Sequence, residues 1–199
     1  DNPQVKRWAK LAQDSSLRRS EGRAIIEGPH LIAELIAAGM RPVALMATEE
    51  AAARHAGILA TPPVLLAPSA FKSLSDAQTP QGIAAEIEIP RPRLTKGDCI
   101  FLEGVQDPGN VGAILRSAAA LGVAAAVLDR GCADPWSPKV LRAAMGGHFR
   151  ISVQPAADLP AALEAYAGKL VCTVAQGGQP LRKADLSGPV GCIFGSEGA

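Results

Sequence analysis

Residues 101–122 combine the features most suited to chemistry: an apolar strand, a tight turn and a helix that carries a single arginine. The turn begins at Asp107 and continues with Pro and Gly, residues that commonly reverse a chain. Asn110 follows at the position where we expect the N-cap of a helix over Val111–Leu121. The free N–H groups at a helix start also suit a phosphate. Two roles for Asn110 stay open: it fixes Arg116 or the helix start, or it is a cap alone.

The faces of this predicted helix are unusual. An apolar stripe at the spacing of a helix is formed by Val111, Ile114, Leu115 and Ala118. The other face holds Gly112, Ala113, Ala119 and Ala120 around Arg116. Because a helix without a polar face is buried all round or covered by a partner, we expect a substrate or second subunit to approach Arg116. The alternative is an ordinary surface arginine.

Fingerprints of other functions are absent from the sequence. Gly104 and Gly109 have the spacing of a phosphate-binding loop, but Asn110-Val111 stands where Lys and Ser or Thr are required. ATP or GTP hydrolysis is therefore disfavoured, and no dinucleotide glycine pattern follows a strand. The three histidines are far apart and no two cysteines have ligand spacing. We predict no metal site.

A second stretch, residues 190–198, reads as a buried strand that ends at Gly195 and continues with Ser196 and Glu197. Glycine at the end of a strand lets a ligand approach the backbone closely. A purely structural glycine at the turn is the alternative. Taken alone, this stretch favours the structural interpretation.

Together the two stretches resemble the SpoU/TrmH family of RNA ribose 2′-O-methyltransferases, in the SPOUT class of knotted methyltransferases. The family motif Asn-x-Gly-x-x-x-Arg is matched by Asn110, Gly112 and Arg116, and its Gly-Ser-Glu-Gly motif is matched by residues 195–198. The resemblance implies methyl transfer from S-adenosylmethionine to a ribose 2′-hydroxyl, with ribosomal RNA expected and transfer RNA still open. The catalytic residues that it implies are Arg116, Asn110 and Glu197. The cofactor contacts that we expect are Gly195, Ser196 and, after the strand Lys169–Val174, Ala175.

One family feature is missing. The third motif, a Ser-Leu-Asn loop with an amphipathic helix, normally completes the knot, the cofactor pocket and much of the dimer interface, but it has no counterpart before Ala199. A domain is not expected to stop just after a buried strand, so we expect a further segment. The alternative function is an RNA-binding protein with an incomplete or inactive cofactor site. A third possibility, a small-molecule enzyme, lacks a nucleophile–base pair.

The Pro-Arg-Pro-Arg segment after Ile89 divides the sequence into two α/β halves. Residues 1–92 resemble the family's ribosomal-protein-like RNA-binding domain, and residues 93–199 the SPOUT methyltransferase domain without its knot segment. The strands expected in the second half are Asp98–Leu102, Ala124–Leu128, Arg150–Val153, Lys169–Val174 and Val190–Phe194. Because they are apolar on both faces, they predict a mainly parallel sheet, with ligands at the carboxyl ends of its strands.

Composition sets the class of protein. With 48% hydrophobic residues and a net charge of +1, the chain is not disordered. Its longest apolar run is too short for a bilayer, and its first residues lack a signal-peptide pattern. We read the four cysteines as reduced thiols of a cytoplasmic protein.

The first 23 residues hold six basic and three acidic side chains. This segment predicts contact with RNA through Arg18, Arg19 and Arg23, and a solvated, fraying terminus is the alternative.

We also expect a homodimer with the Val111–Leu121 helix near its interface. A guanidinium stays protonated in proteins, so we favour Arg116 as a stabiliser of the developing alkoxide, although the family resemblance also allows a role as base.

Overall fold

A computed structural model of the chain describes residues 2–59, 61–93, 96–156, 158–174 and 176–196, and it contains two sheets. The helices are α1 (Pro3–Gln13), α2 (Ser15–Glu21), α3 (Pro29–Ala37), α4 (Glu49–Arg54), α5 (Pro68–Lys72), α6 (Pro108–Ala120), α7 (Pro138–Ala144) and α8 (Leu159–Glu164). The strands are β1 (Arg23–Glu27), β2 (Ala44–Ala47), β3 (Val64–Leu65), β4 (Ile83–Glu88), β5 (Cys99–Leu102), β6 (Ala125–Leu128), β7 (Ser152–Pro155), β8 (Lys169–Cys172) and β9 (Val190–Phe194). Single 3₁₀ turns occur at Ala56–Ile58, Gly147–Phe149 and Leu181–Lys183. Within the described ranges, every helix is too short or too polar to span a bilayer.

The N-terminal segment is folded. Helix α1 begins where the Asn2 side chain accepts a hydrogen bond from the backbone N–H of Gln4 (2.9 Å). Trp8 and Leu11 are fully buried against the first sheet, and the Trp8 indole donates to Glu86 (2.7 Å). The interpretation of these residues as a solvated, fraying terminus is therefore wrong, because burial of two large apolar side chains anchors them.

The first sheet is mixed and has the order β1-β4-β2-β3. Strand β4 pairs antiparallel with both β1 and β2, and the short edge strand β3 runs parallel to β2. Helix α3 begins at Pro29, which has the backbone angle of a first helical turn, and it buries Leu31, Ile32 and Leu35. Helices α1 and α3 supply the two apolar clusters that enclose this sheet.

The second sheet has the order β7-β6-β5-β9-β8, and every neighbouring pair in it is parallel. All four residues of β5 and of β6 are buried, as expected for strands covered on both faces. The predicted fold class, α/β with a mainly parallel second sheet, is confirmed. Strands β5, β6 and β7 are neighbours in both the chain and the sheet, whereas β9 lies on the other side of β5. The strand order therefore reverses between β5 and β9. The knot itself stays a prediction.

The two sheets share one continuous apolar cluster, which runs from Ile26 and Leu31 to Leu115 and Leu141. Four ion pairs among the described residues cross the same boundary: Arg18 with Asp134, Arg142 with both Asp76 and Glu27, and Arg150 with Glu34. The connecting segment is attached to the edge strand β7, where the backbone N–H of Arg93 donates to the Ser152 hydroxyl (2.9 Å). The predicted boundary at residues 92 and 93 lies in this segment, and the independence of the two halves stays a prediction.

Candidate active site

The helix that carries Arg116 begins earlier than expected. Its N-cap is Asp107, whose Oδ1 accepts a hydrogen bond from the backbone N–H of Asn110 (2.9 Å), and Pro108 occupies the first helical turn. The prediction of Asn110 as N-cap is therefore wrong. Proline already has the helical φ and needs no acceptor for an N–H group, so the preceding aspartate becomes the cap. Asn110 lies half-buried in the first turn of α6.

Part of the small-residue face of α6 is covered by the same chain. A Cβ atom on Gly112 would lie 2.4 Å from the Cβ of Ala143 and 2.8 Å from the carbonyl oxygen of Val140, both in α7. Gly112 is therefore the close-contact point between α6 and α7, and not part of an open surface. Our expectation that it faces a partner is wrong. The exposed face of α6 consists of Ala113, Arg116, Ser117 and Ala120, and it continues into Leu121, which is 83% exposed.

Arg116 is exposed at the middle of α6. Within the part of the chain that the structure describes, its guanidinium makes no ion pair or hydrogen bond, so its five donors are available to a ligand. The helix rise separates Arg116 from Asn110 by about 9 Å along the axis. The backbone of Arg116 packs against the 3₁₀ turn at Gly147–Phe149, because a Cβ on Gly147 would come within 3.2 Å of the Arg116 Cα.

The carboxyl ends of β5, β6 and β9 meet at one edge of the sheet. After β5, the backbone N–H of Glu103 donates to the carbonyl of Phe194 at the end of β9 (2.9 Å). The next residue, Gly104, has a φ of +64° and donates to Asp129 Oδ1 (3.0 Å), which follows β6. A Cβ on Gly104 would lie 3.5 Å from the Cβ of Ser196. This edge is where the strand order reverses, the usual position of a ligand crevice in an open parallel sheet.

Asp129 was not among the residues predicted for this edge. Burial favours a higher pKa for its carboxyl group, but hydrogen bonds from the Gly104 N–H and from Cys132 hold the pKa below its ordinary value. The carboxylate therefore ties the loop after β5 to the loop after β6. In the sequence, the position of Asp129 directly after a buried strand was the signal that could have placed it at this edge.

The strand end at Gly195 is open. Gly195 and Ser196 are exposed, and a Cβ on Gly195 would meet no described atom within 4 Å. A flat group can therefore lie against the backbone of this strand end, which is what the adenosine part of a nucleoside cofactor requires. The described residues at this edge fit such a cofactor. Two further predicted site residues, Ala175 and Glu197, lie outside the described residues.

The three arginines predicted for RNA have different surroundings. Arg18 is buried, and its guanidinium donates to Asp134 Oδ2 (2.6 and 2.8 Å) and to the carbonyl oxygen of Leu11 (2.6 Å). These partners use its donors inside the protein, so the structure contradicts a contact of Arg18 with RNA. Arg19 is exposed, and Arg23 is half-buried with its guanidinium 4.0 Å from Glu88. Only these two remain accessible in the predicted set.

The described residues contain no group of three or more His, Cys, Asp or Glu side chains placed to hold a metal ion. The absence of a metal site in the whole protein stays a prediction.

Comparison with known families gives two matches along the chain. Residues 98–199 match the SpoU rRNA methylase family, and residues 2–85 match the MRM3-like substrate binding domain. The first match covers the parallel sheet with α6 and the strand end at Gly195. The second covers α1 to β4 except for the last residues of that strand.

Individual relatives agree with these matches. The 23S rRNA (guanosine(2553)-2′-O)-methyltransferase RlmP of Bacillus subtilis is 33% identical, over 100% of this chain and 81% of its own length. The AdoMet-bound rRNA methyltransferase from Sinorhizobium meliloti is 26% identical with a TM-score of 0.80, over 100% of this chain and 79% of that one. The SpoU methyltransferase AviRb from Streptomyces viridochromogenes shares the fold, with a TM-score of 0.86 at 21% identity over 100% of this chain and 83% of that one.

Proposed function

The chain belongs to the SpoU rRNA methylase family of S-adenosylmethionine-dependent RNA methyltransferases, and we propose that it methylates a ribose 2′-hydroxyl of ribosomal RNA through Arg116. One observation carries the assignment to this site. Arg116 has no partner among the described residues, and it lies on α6, the helix that follows β5. The strand order reverses next to β5, and there the open backbone at Gly195 provides room for a cofactor. This arrangement suits a reaction in which the protein aligns two substrates and contributes charge.

Gly195 and Ser196 would hold the cofactor. When bound, S-adenosylmethionine supplies a methyl group that its sulfonium charge already activates. What the chain itself must supply is the position of the ribose hydroxyl and stabilisation of the charge that develops on its oxygen. Gly104 and Asp129 keep the loops after β5 and β6 in place beside the strand end, which gives the crevice a fixed wall.

Arg116 is the group suited to the developing alkoxide. Its planar guanidinium can donate to the ribose oxygen and to a neighbouring phosphate at the same time. Because a guanidinium keeps its proton, its contribution is orientation and electrostatic stabilisation, and the proton leaves through another acceptor such as an RNA phosphate. We keep Asn110, half-buried in the first turn of the same helix, as a residue of this site.

We propose that residues 1–92 bind RNA and residues 93–199 carry out methyl transfer. Arg19 and Arg23 contribute contacts to the RNA backbone from the first domain. Ribosomal RNA is favoured over transfer RNA because the RlmP relative, which covers the whole chain, is named for a guanosine in 23S rRNA. We propose that the protein acts in the reducing cytoplasm, where its four cysteines stay free thiols.

We also propose that the active form is a homodimer. Arg116 lies about 12 Å along α6 from Pro108, where the helix starts. The exposed alanines around it leave room for a second backbone. A partner subunit on this face would bring its own cofactor edge toward Arg116, so that two chains complete each site.

The experiment that tests the function measures methyl transfer from labelled S-adenosylmethionine to in vitro transcribed 23S rRNA, with transfer RNA transcripts as the competing substrate. We expect label on a ribose of the rRNA and at least a 100-fold lower kcat for Arg116→Ala, the loss typical of removing a group that stabilises developing charge. Cofactor affinity should not change. Arg54→Ala, which removes an exposed arginine paired on α4, is the control with full activity. Full activity of Arg116→Ala would refute the proposed role, and label on transfer RNA alone would refute the choice of substrate.

A further inference from the structure

Beneath the turn of α6 that carries Arg116 lies a buried histidine for which the mechanism above has no use. His148 is 2% exposed, and its Nε2 lies 2.7 Å from the carbonyl oxygen of Pro135. A carbonyl only accepts hydrogen bonds, so Nε2 carries the proton and donates. Burial lowers the pKa of His148 to about 4, so the ring is neutral at physiological pH. The histidine is therefore a fixed hydrogen-bond donor.

The hydrogen bond of His148 holds a turn that supports α6. His148 is the central residue of the 3₁₀ turn Gly147–Phe149. Beside it, Gly147 is so close to α6 that an added Cβ would lie 3.1 Å from the carbonyl oxygen of Leu115 and 3.2 Å from the Cα of Arg116. The backbone of this turn is thus packed directly against the backbone of Arg116. A shift of the turn cannot occur without a shift of that part of α6.

The acceptor of the hydrogen bond is fixed in turn. Pro135 lies between Asp134, which is held by the buried guanidinium of Arg18, and Trp136, whose backbone N–H donates to Asp134 Oδ1 (3.0 Å). The Trp136 ring also packs on the His148 ring, with the centroids 4.9 Å apart. A continuous set of contacts therefore leads from the first domain, through Asp134 and Pro135, to His148.

We propose that His148 is a positioning residue for Arg116: its hydrogen bond to Pro135 fixes the turn at Gly147–Phe149, and this turn sets the position of Arg116 in methyl transfer. The inference rests on the proposed role of Arg116. Displacement of a catalytic group by about 1 Å can lower a rate by about 100-fold. Because Arg18 in α2 of the RNA-binding half holds Asp134, the residue before the acceptor Pro135, the position of Arg116 depends on how the two domains meet.

Two amide variants separate the hydrogen bond from general packing. Glutamine places its side-chain NH₂ near the position of Nε2, and asparagine, which is one carbon shorter, places it near Nδ1. His148→Gln keeps the donor for Pro135 and His148→Asn loses it. His148→Phe keeps a ring of similar size against Trp136 and also loses the donor.

The test uses full-chain protein, 23S rRNA transcript and labelled S-adenosylmethionine. We expect kcat to fall at least tenfold in His148→Asn and His148→Phe and to recover to within about threefold of the original in His148→Gln. KM for the transcript and the Kd of S-adenosylmethionine should not change in any of them. Unchanged kcat in the Asn and Phe variants would overturn the proposal. Parallel loss of cofactor binding and RNA binding would also overturn it, because that pattern indicates a merely structural role.

A second measurement does not depend on activity. In ¹⁵N–¹H spectra of the protein without RNA, the backbone amide signals of Leu115 and Arg116 should shift in His148→Asn and stay near their original positions in His148→Gln. If the original protein lacks methyltransferase activity but these signals shift as expected, the proposed function fails and the positioning contact stands. Unshifted signals in His148→Asn overturn the positioning proposal whatever the activity.

Discussion

Arg18 and Asp134 form a buried ion pair that joins the two halves of the chain. Nε and Nη2 of Arg18 donate to the same carboxylate oxygen of Asp134, at 2.8 and 2.6 Å. Nη1 donates to the carbonyl oxygens of Leu11 and Ala12 at the end of α1. A guanidinium enclosed in this way connects α1, α2 and the turn before α7. Its role is internal, although its sequence context suggested an RNA contact.

Removal of this ion pair should destabilise the fold. Arg18→Ala leaves the Asp134 carboxylate, which is 17% exposed, without its main partner, and we expect the free energy of unfolding to fall by about 3 kcal/mol. Arg19→Ala, at the exposed neighbouring position, should change it by less than about 0.5 kcal/mol. Urea denaturation followed by circular dichroism measures both. Equal stability of the two variants would show that the ion pair does not hold the halves together.

Arg19 and Arg23 should affect RNA binding and leave cofactor binding unchanged. If each contacts one phosphate, the double variant Arg19→Ala/Arg23→Ala should flatten the slope of log affinity against log salt by about 0.7 to 0.9 per lost contact. Filter binding of 23S rRNA transcript at several salt concentrations measures this slope. Arg54→Ala is the matched control, since Arg54 is also an exposed arginine of the first half, paired with Glu50. A slope equal to that of the control would exclude contacts from Arg19 and Arg23.

Most strands were predictable from the sequence because their residues are apolar on both faces. In the second half, the structure places β5, β6, β8 and β9 within a residue or two of the expected positions. Strand β7 was expected at Arg150–Val153 but spans Ser152–Pro155. Arg150, which was expected to begin β7, instead ends the preceding 3₁₀ turn, where its backbone N–H donates to the carbonyl oxygen of Gly147. A single turn of this kind has no periodicity that a sequence pattern could reveal.

The site was less predictable than the fold. Arg116 and Gly195 were predicted from motif residues at fixed spacing; the structure leaves both exposed, and their roles stay predictions. Arg18 was misassigned, because charge along a sequence does not show which arginine meets a partly buried carboxylate over a hundred residues away. His148 was overlooked for a related reason: its acceptor is a backbone carbonyl, which every residue possesses.

Stability should depend on pH through His148. Burial is the main cause that lowers its pKa to about 4 from the ordinary 6.5, while the Pro135 hydrogen bond and Asp134 oppose the change. Between about pH 4 and pH 6.5, His148 binds a proton in the unfolded chain but not in the folded chain. The free energy of unfolding therefore decreases as pH falls from about 6.5 to about 4, by up to about 1.4 kcal/mol per pH unit from this group.

The variant His148→Gln isolates this contribution, because glutamine does not titrate and the remaining groups titrate in both proteins. Denaturation curves of the original and the variant at pH 7, 6, 5 and 4 give the difference in unfolding free energy. We expect the original to lose stability relative to the variant as pH falls. A difference that stays constant with pH would show that His148 does not remain neutral in the folded protein.

The strand end at Gly195 should tolerate a larger side chain without loss of folding and yet bind the cofactor less well. An added Cβ meets no described atom there, so Gly195→Val should unfold at nearly the original temperature. Its methyl groups would occupy the space where the cofactor approaches the backbone, and we expect affinity for S-adenosylmethionine to fall at least tenfold by calorimetry. Gly57→Val repeats the substitution at another open glycine in the first half, and its affinity should not change. Unchanged affinity in folded Gly195→Val would remove Gly195 from the site.

The exposed face of α6 should be a subunit interface. Ala120 is exposed on this face, and beside it Leu121 is 83% exposed, an unusual position for leucine unless a partner covers it. Ala120→Glu would then place an unpaired carboxylate in the interface, which costs several kcal/mol, so we expect light scattering to find a monomer with no methyl transfer. Ala53→Glu, at an exposed alanine of α4, should leave the dimer and its activity intact. An original protein that is monomeric and active at the same concentration would contradict the interface, while the methyltransferase activity would stand.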